Sequence, residues 1–384
     1  MNFDLSEEHL LVRQAARDFA DAAVAPIAAE IDQTGEFPRA CFREAGELGF
    51  AGVAVPEALG GAGMDTLAYA IVIEEVSRAC ANMGVILSVN NSLVCDPIAK
   101  YGTDDQKKRF LGPLARGEML GCFALTEPEA GSDAANQKTR AVRNGATYRL
   151  QGEKIFITCG GAADVAIVFA ATDREKKHRG ISAFLVETGS RGFDRSRHQV
   201  KLGVNASGTV EIFLNDVEVP AENLLGNEGD GFKIAMTTLD GGRIGIAAQA
   251  VGIARSAFEA ARRYARERKV FGHPISDFQA LRFYLADMAT EIDAARLLTW
   301  RAAARKDETA RSGGRFTEEA AIAKLFAAEM AQRVSTKALQ IHGGYGYTKE
   351  FPVERNFRDA RITEIYEGTS EIQRVVIARE IFGK

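Results

Sequence analysis

No stretch of this 384-residue sequence approaches the roughly 18 uninterrupted apolar residues of a membrane span. The opening MNFDLSEEHLLVRQ is acidic and amphipathic and lacks the basic-then-apolar order of an export signal. Cysteine is scarce and scattered: Cys41, Cys80, Cys95, Cys122 and Cys159 make no Cys-x-x-Cys pair. A disulfide-stapled scaffold is excluded, and a reducing compartment, the cytoplasm, is expected. An excess of one charge is also missing. With 48 basic and 52 acidic side chains the formal net charge is only −4, which disfavours a nucleic-acid wrapper. His9, His178, His198, His273 and His342 are dispersed and H-E-x-x-H is absent, so no metal site is expected. There is no G-x-x-x-x-G-K-[ST], no strand-bound G-x-G-x-x-G with its distal acid and no G-x-S-x-G. Nucleotide recognition, if any, needs a scheme other than the P-loop or the Rossmann turn.

What is present divides the chain into three. From Asp4, a candidate cap, apolar Leu10, Leu11, Ala15, Phe19 and Ala22 recur at helical spacing until Pro26. Leu67 to Met83 and Asp104 to Arg116 repeat the style, separated by Gly-rich 59–63 and the polar run Ser88 to Ser92. Residues 1–117 therefore read as an all-α domain. Ala141 to Thr158 carries Val, Tyr, Ile and Phe around Asn144-Gly145, a strong hairpin signal, and Val165 to Ala170, Ile181 to Val186 and Val210 to Val219 add short strands. With no helix between them, 118–228 reads as an antiparallel β-barrel or sandwich. Helical periodicity returns in 229–384 as four stretches, Phe232 to Arg268, Asp277 to Asp307, Thr317 to Ile341 and Ser370 to Phe382, most economically a four-helix bundle. Alanines 247, 248, 250, 254 and 257 crowd one helix face, which suits close helix approach or a subunit contact.

Two segments combine glycine and small polar residues with apolar runs: Cys122 to Asp133, CFALTEPEAGSD, and Ile362 to Arg374, ITEIYEGTSEIQR. Both resemble signatures of the acyl-CoA dehydrogenase family. The resemblance spans the chain, because KLG at 201–203, DGGR at 240–243, ERKVFG at 267–272, IHGGYGY at 341–347 and FRDA at 357–360 occur in family order. SVNNSL at 88–93 and ARLLTWRAA at 295–303 bring it nearest to the short-chain, or butyryl-CoA, subfamily.

That resemblance implies FAD-dependent α,β-desaturation of an acyl-CoA thioester, a homotetramer built as a dimer of dimers, and an electron-transferring flavoprotein as partner. Removing a weakly acidic α proton requires a base in a water-poor pocket and donors aimed at the enolate oxygen. Glu367 stands at the family position of that base, and its backbone N–H at that of an oxyanion donor. Alone, a Glu before Gly is an ordinary solvated helix-start residue; the surrounding match reverses that reading. Other members carry their base just before the arginine of the DGGR-like segment, where this sequence has Gly242. Flavin contacts are implied for Phe123, Leu125, Thr126, Phe156, Ile157, Thr158 and Thr369. Arg268, Phe271, Gln279, Gln340, Gly343 and Gly344 are implied for the FAD diphosphate and adenine of a neighbouring subunit. Ser132, Asp240, Arg243, Tyr366 and Gly368 are implied for the substrate, with the acyl floor between Val85 to Leu93 and Leu239 to Ile246. Rival expectations are a 2-methyl-branched, glutaryl or cyclic acyl-CoA, and a non-catalytic flavin-binding interaction protein. No arginine lies in Val85 to Leu93 to receive a dicarboxylate.

Overall fold

Ser6, in extended conformation, accepts a hydrogen bond from His9 N at 3.2 Å and starts the first helix, Glu7–Phe19, with Glu7 and Glu8 at its positive end. The expected cap, Asp4, lies two residues ahead of the observed one. The computed structural model describes residues 4–195 and 198–383. Pro26 does not end the helical path, because the chain passes through a wide turn, Ala20–Val24, and a tight one, Ala25–Ile27, into the helix Ala28–Thr34. The Leu67 to Met83 stretch is two helices, Thr66–Ala79 and Ala81–Ser88, parted at Cys80, whose backbone is extended.

The polar run Ser88 to Ser92, expected as a break, instead continues as the π-helical segment Val89–Cys95. Its asparagines point inward and satisfy backbone that no water reaches. Asn90 Nδ2 donates to Ala51 O and Leu114 O at 2.8 and 3.1 Å, and Asn91 Nδ2 to Phe50 O at 2.8 Å while its Oδ1 accepts from Val53 N. Here side-chain amides substitute for solvent, so the polarity marks buried mortar rather than a loop.

The middle region is one eight-stranded sheet of β1 (Gly121–Ala124), β2 (Arg140–Asn144), β3 (Thr147–Ile157), β4 (Val165–Ala171), β5 (Ile181–Glu187), β6 (Phe193–Asp194), β7 (Val210–Pro220) and β8 (Leu224–Leu225). The order is β6-β7-β3-β2-β4-β5-β8, with β1 on β4. As the Asn-Gly signal predicts, β2 and β3 form a hairpin, with Asn144 opposite Thr147 and Gly145 at positive φ. The sheet is not wholly antiparallel. β1 and β2 both meet β4 in parallel, because the 125–139 connection and the hairpin bring the chain back in the direction of β1.

That connection is held from beneath by a fully buried lysine. Lys154 Nζ donates to Glu127 Oε1 at 2.8 Å, Gln137 Oε1 at 3.0 Å and Leu125 O at 3.0 Å, using all three protons. Burial pulls the Lys154 pKa down to about 8 despite Glu127. Desolvation opposes ionisation of Glu127 as well, yet Lys154 and the amides of Lys138 and Thr139 hold its carboxyl below the usual range.

In the last third the four expected helices stand at Gly231–Glu267, Gln279–Ser312, Thr317–His342 and Ser370–Phe382. A fifth, Pro352–Ile362, was not expected; its first-turn proline follows an irregular stretch, and eleven residues carry little period. The alanine face of the longest helix is buried within the chain. It packs against Thr66–Ala79 and Thr317–His342. Ion pairs lock the same layers: Arg255 reaches Glu74 and Glu75 at 2.6 and 2.9 Å, and Arg296 reaches Glu74 at 2.9 Å.

Lys154→Met leaves Glu127 buried without its cation, so urea unfolding should show a loss of about 3–5 kcal/mol. Adding Glu127→Gln should recover part of it; a loss under about 1 kcal/mol in the single variant would mean the pair does not hold the connection.

Candidate functional site

Tyr366-Glu367-Gly368-Thr369 joins Pro352–Ile362 to Ser370–Phe382, and its backbone is strained in a definite way. Glu367 and Gly368 both have positive φ, 52° and 92°. Only the second is a glycine, so Glu367 occupies a conformation that needs outside support. Support comes from three directions. Thr369 caps the last helix through Ile372 N at 3.3 Å; Gln373 Nε2 donates to Glu367 O and Gly368 O at 3.2 and 2.9 Å; Lys324 Nζ donates to Gly368 O at 2.7 Å.

So held, the carboxylate faces the longest helix. A Cβ placed on Gly242 would collide with Glu367 Oε2 and stand 2.8 Å from Leu93 Cδ2. Glu367 Oε2 is buried and has no hydrogen-bond partner among the described residues. Burial raises the Glu367 pKa to about 7, with Lys324 and Arg243 pulling the other way. Arg243 Nη1 holds Asp240 Oδ1 at 2.5 Å, Thr317 Oγ1 donates to Asp240 Oδ2 at 2.7 Å, and Arg243 Nε is buried without a partner among the described residues. Desolvation also raises Asp240, against Arg243. Around the carboxylate, Tyr366 donates to Gln249, Gln249 Nε2 donates to Ala81 O at 2.9 Å, and Tyr69 Oη meets Ser88 Oγ at 3.0 Å beside Gly245. The Glu367 N–H has no acceptor among the described residues. The arrangement offers one unpartnered carboxylate poised near neutrality, next to a free amide.

Of the expected site residues, Glu367, Gly368, Tyr366, Thr369, Asp240 and Arg243 belong to this cluster. A second group lies at the start of the sheet: Ile155 N donates to Thr126 O at 2.9 Å, which ties Leu125 and Thr126 to Phe156, Ile157 and Thr158. Phe123 packs on Phe169 at 4.8 Å, while Phe156 has positive φ and is 63% exposed. The hydroxyls of Thr126, Thr158 and exposed Ser132 have no protein partner among the described residues. Val89–Cys95 spans from one group to the other, with Leu93 against Gly242 and Val94 against Gly121.

The third group lies elsewhere. Arg268 is 26 residues beyond Gly242 (268 − 242) at the end of the same helix, about 39 Å at 1.5 Å per residue. Its guanidinium lies over the Tyr345 ring at 5.6 Å. Phe271, at positive φ, is 89% exposed, and Gln279, Gln340, Gly343 and Gly344 are exposed as well. A Cβ on either glycine would meet nothing within 4 Å. One cation with open backbone beside it suits a diphosphate, but the distance bars this group from serving the Glu367 of its own chain.

Lys324, Gln373, Gln249 and Tyr69 escaped the sequence reading. For Lys324 a signal existed: it is the one charge among buried Ala320, Ala321, Ala323, Ala327 and Ala328. Among the described residues no cluster of His, Cys, Asp and Glu could hold a metal ion, and no helix is long and apolar enough to cross a membrane. All five cysteines are buried and free.

Three family profiles match the chain in order: acyl-CoA dehydrogenase, N-terminal domain over 6–118, middle domain over 122–217, and C-terminal domain over 229–382. The short-chain specific acyl-CoA dehydrogenase of Clostridium acetobutylicum is 52% identical over 382 residues, covering 100% of each chain. The solved butyryl-CoA dehydrogenase from Megasphaera elsdenii superposes with a TM-score of 0.96 at 47% identity, covering 100% of both chains. A chain in the solved structure of the electron transferring flavoprotein of Acidaminococcus fermentans gives 0.97 at 48%, again covering 100% of both.

The Glu367 pKa, raised from 4.5 to about 7, carries a sign for stability. The folded state holds this proton more tightly than the unfolded chain does, so the associated stability is complete below pH 4.5 and is lost as pH rises through about 7. Glu367→Gln, neutral throughout, should therefore be more stable than the parent by about 3 kcal/mol at alkaline pH. The two should converge at acidic pH; equal melting temperatures across the range would show that the carboxylate is not desolvated.

Proposed function

The chain belongs to the acyl-CoA dehydrogenase family, and from that premise we propose that it oxidises a short-chain acyl-CoA to the trans-2-enoyl-CoA. FAD is its cofactor and an electron-transferring flavoprotein its electron acceptor. The observation that carries the reading is the buried, unpartnered Oε2 of Glu367 facing Gly242. Ionised Glu367 takes the α proton. A pKa near 7 keeps enough carboxylate at neutral pH while leaving it a stronger base than a solvated glutamate. The free Glu367 N–H donates to the thioester oxygen as negative charge builds there, and the apolar wall from Leu93 to Tyr366 excludes water. When bound, the flavin supplies the acceptor for the β hydrogen as hydride.

Phe123, Leu125, Thr126, Phe156, Ile157, Thr158 and Thr369 hold the flavin ring and ribityl region, the hydroxyls of Thr126 and Thr158 supplying donors. Arg268, Phe271, Gln279, Gln340, Gly343 and Gly344 hold the diphosphate and adenine end of a neighbour's FAD, a reading supported by the ~39 Å of helix, at about 1.5 Å per residue, between Arg268 and Gly242. That division favours a homotetramer formed as a dimer of dimers, whose contacts would cover exposed Phe271 and Tyr347. Asp240, Arg243 and Ser132 meet the CoA portion, and Tyr366 and Gly368 line the thioester. The domain limits proposed are 1–117, 118–228 and 229–384, and the free cysteines agree with a cytoplasmic location.

Glu367→Gln should keep its yellow flavin and bind acyl-CoA, yet reduce the flavin at least about 10³-fold more slowly. Parent-like bleaching in that variant would remove Glu367 from the reaction. Titrating the parent with butyryl-, isobutyryl- and glutaryl-CoA separates the substrates, and the fastest bleaching is expected with butyryl-CoA; preference for either other thioester would reassign the substrate.

A further inference from the structure

Lys324 sits in the middle of Thr317–His342, fully buried among alanines, and its single hydrogen bond among the described residues goes to the carbonyl of Gly368, the residue after Glu367. A lysine at such a position is costly unless its charge or its donor is used. The donor is used on the loop: the two positive-φ residues are pinned by Lys324 and Gln373 together. The charge is not consumed by any direct ion pair among the described residues. Arg243, the other cation near Glu367, is committed to Asp240 at 2.5 Å. Resting on Glu367 as the base, we propose that Lys324 is its positioning residue: the ammonium group, tied to Gly368 O, fixes the strained loop and supplies an offset positive charge that keeps the desolvated carboxylate ionisable without occupying its lone pairs.

The groups facing this pair come from four elements. Arg243 and, behind it, Asp240 stand on Gly231–Glu267; Glu371 lies on the last helix; Glu329 shares the helix of Lys324; Tyr69 lies on Thr66–Ala79. Burial holds the Tyr69 and Tyr366 hydroxyls neutral well above their ordinary range, so they add no competing charge. Desolvation draws Lys324 itself down to about 7, with Glu367 opposing. The two groups therefore titrate as a coupled pair across neutrality. A direct salt bridge would stabilise the carboxylate so far that it lost basicity; a cation set aside on the neighbouring carbonyl lowers the cost of ionisation and leaves Oε2 free.

The test uses the flavin-loaded enzyme and three substitutions. Lys324→Met keeps the volume and removes the charge; without the cation the carboxylate ionises less readily, so the ascending limb of kcat/KM against pH should move upward by about one unit or more. Lys324→Arg, which keeps the charge, should return the limb toward the parent. Independently of turnover, the infrared band of protonated Glu367, identified by its loss in Glu367→Gln, should titrate at higher pH in Lys324→Met. If Lys324→Met fails to fold, Lys324→Gln, neutral but able to donate to Gly368 O, should give the same displacement. An unmoved limb and band in the neutral variant overturn the proposal. Should Glu367→Gln instead turn over like the parent, it is the reading of the base that fails, whatever Lys324 does.

Discussion

Taking a carboxylate out of water costs several kcal/mol, and a chain that does so at one place must either neutralise the group or surround it with compensating charge. Glu367 is the place where this chain accepts that cost. Its Oε2 lies against Gly242 with no donor among the described residues, while Lys324 and Arg243 lower the penalty from a distance. The rest of the C-terminal region can be understood as what such a placement demands. Positive φ at Glu367 requires clamps, and Lys324, Gln373 and Thr369 are those clamps. Close approach of the loop to the long helix requires a residue without a side chain at 242.

The helical layers serve the same end. Small residues along Gly231–Glu267 let Thr66–Ala79 and Thr317–His342 press in, so Tyr69 and Lys324 both come near Glu367. Asn90 and Asn91 tie the Val89–Cys95 turn to neighbouring backbone, and that turn joins the carboxylate cluster to the first strand of the sheet. Lys154 beneath the 125–139 connection acts similarly in the middle region, where a buried cation organises three acceptors. A second charged cluster, Arg17, Glu74, Glu75, Arg255 and Arg296, pairs its charges internally and with Arg78, Glu259 and Asp293, and reads as a latch between helices.

Much of this was legible beforehand. The switch from helical period to strand and back gave the three-part order, and Asn144-Gly145 gave the one hairpin that local chemistry can dictate. Failures share a cause. Ser88 to Ser92 looked like a loop because polarity was taken for exposure, whereas buried backbone had recruited the asparagines. Pro352–Ile362 was too short to declare a period, and the parallel contacts of β4 depend on a connection whose path no local pattern encodes. Glu367 was found through the likeness of its surrounding motif; Lys324, without such a motif, was overlooked although it interrupts an alanine face.

By itself the sequence determined which segments bury an apolar face, where turns fall, and that a glutamate precedes a glycine and a cap in ITEIYEGTSEIQR. Those are local matters, fixed by spacing and by the conformations each residue tolerates. Only the tertiary structure decided that this glutamate is desolvated, that Gly242 faces it, and that Arg268 lies too far along the same helix to serve it. Solvation and charge coupling depend on what other segments bring within a few ångströms, and that is a property of packing rather than of any stretch of chain.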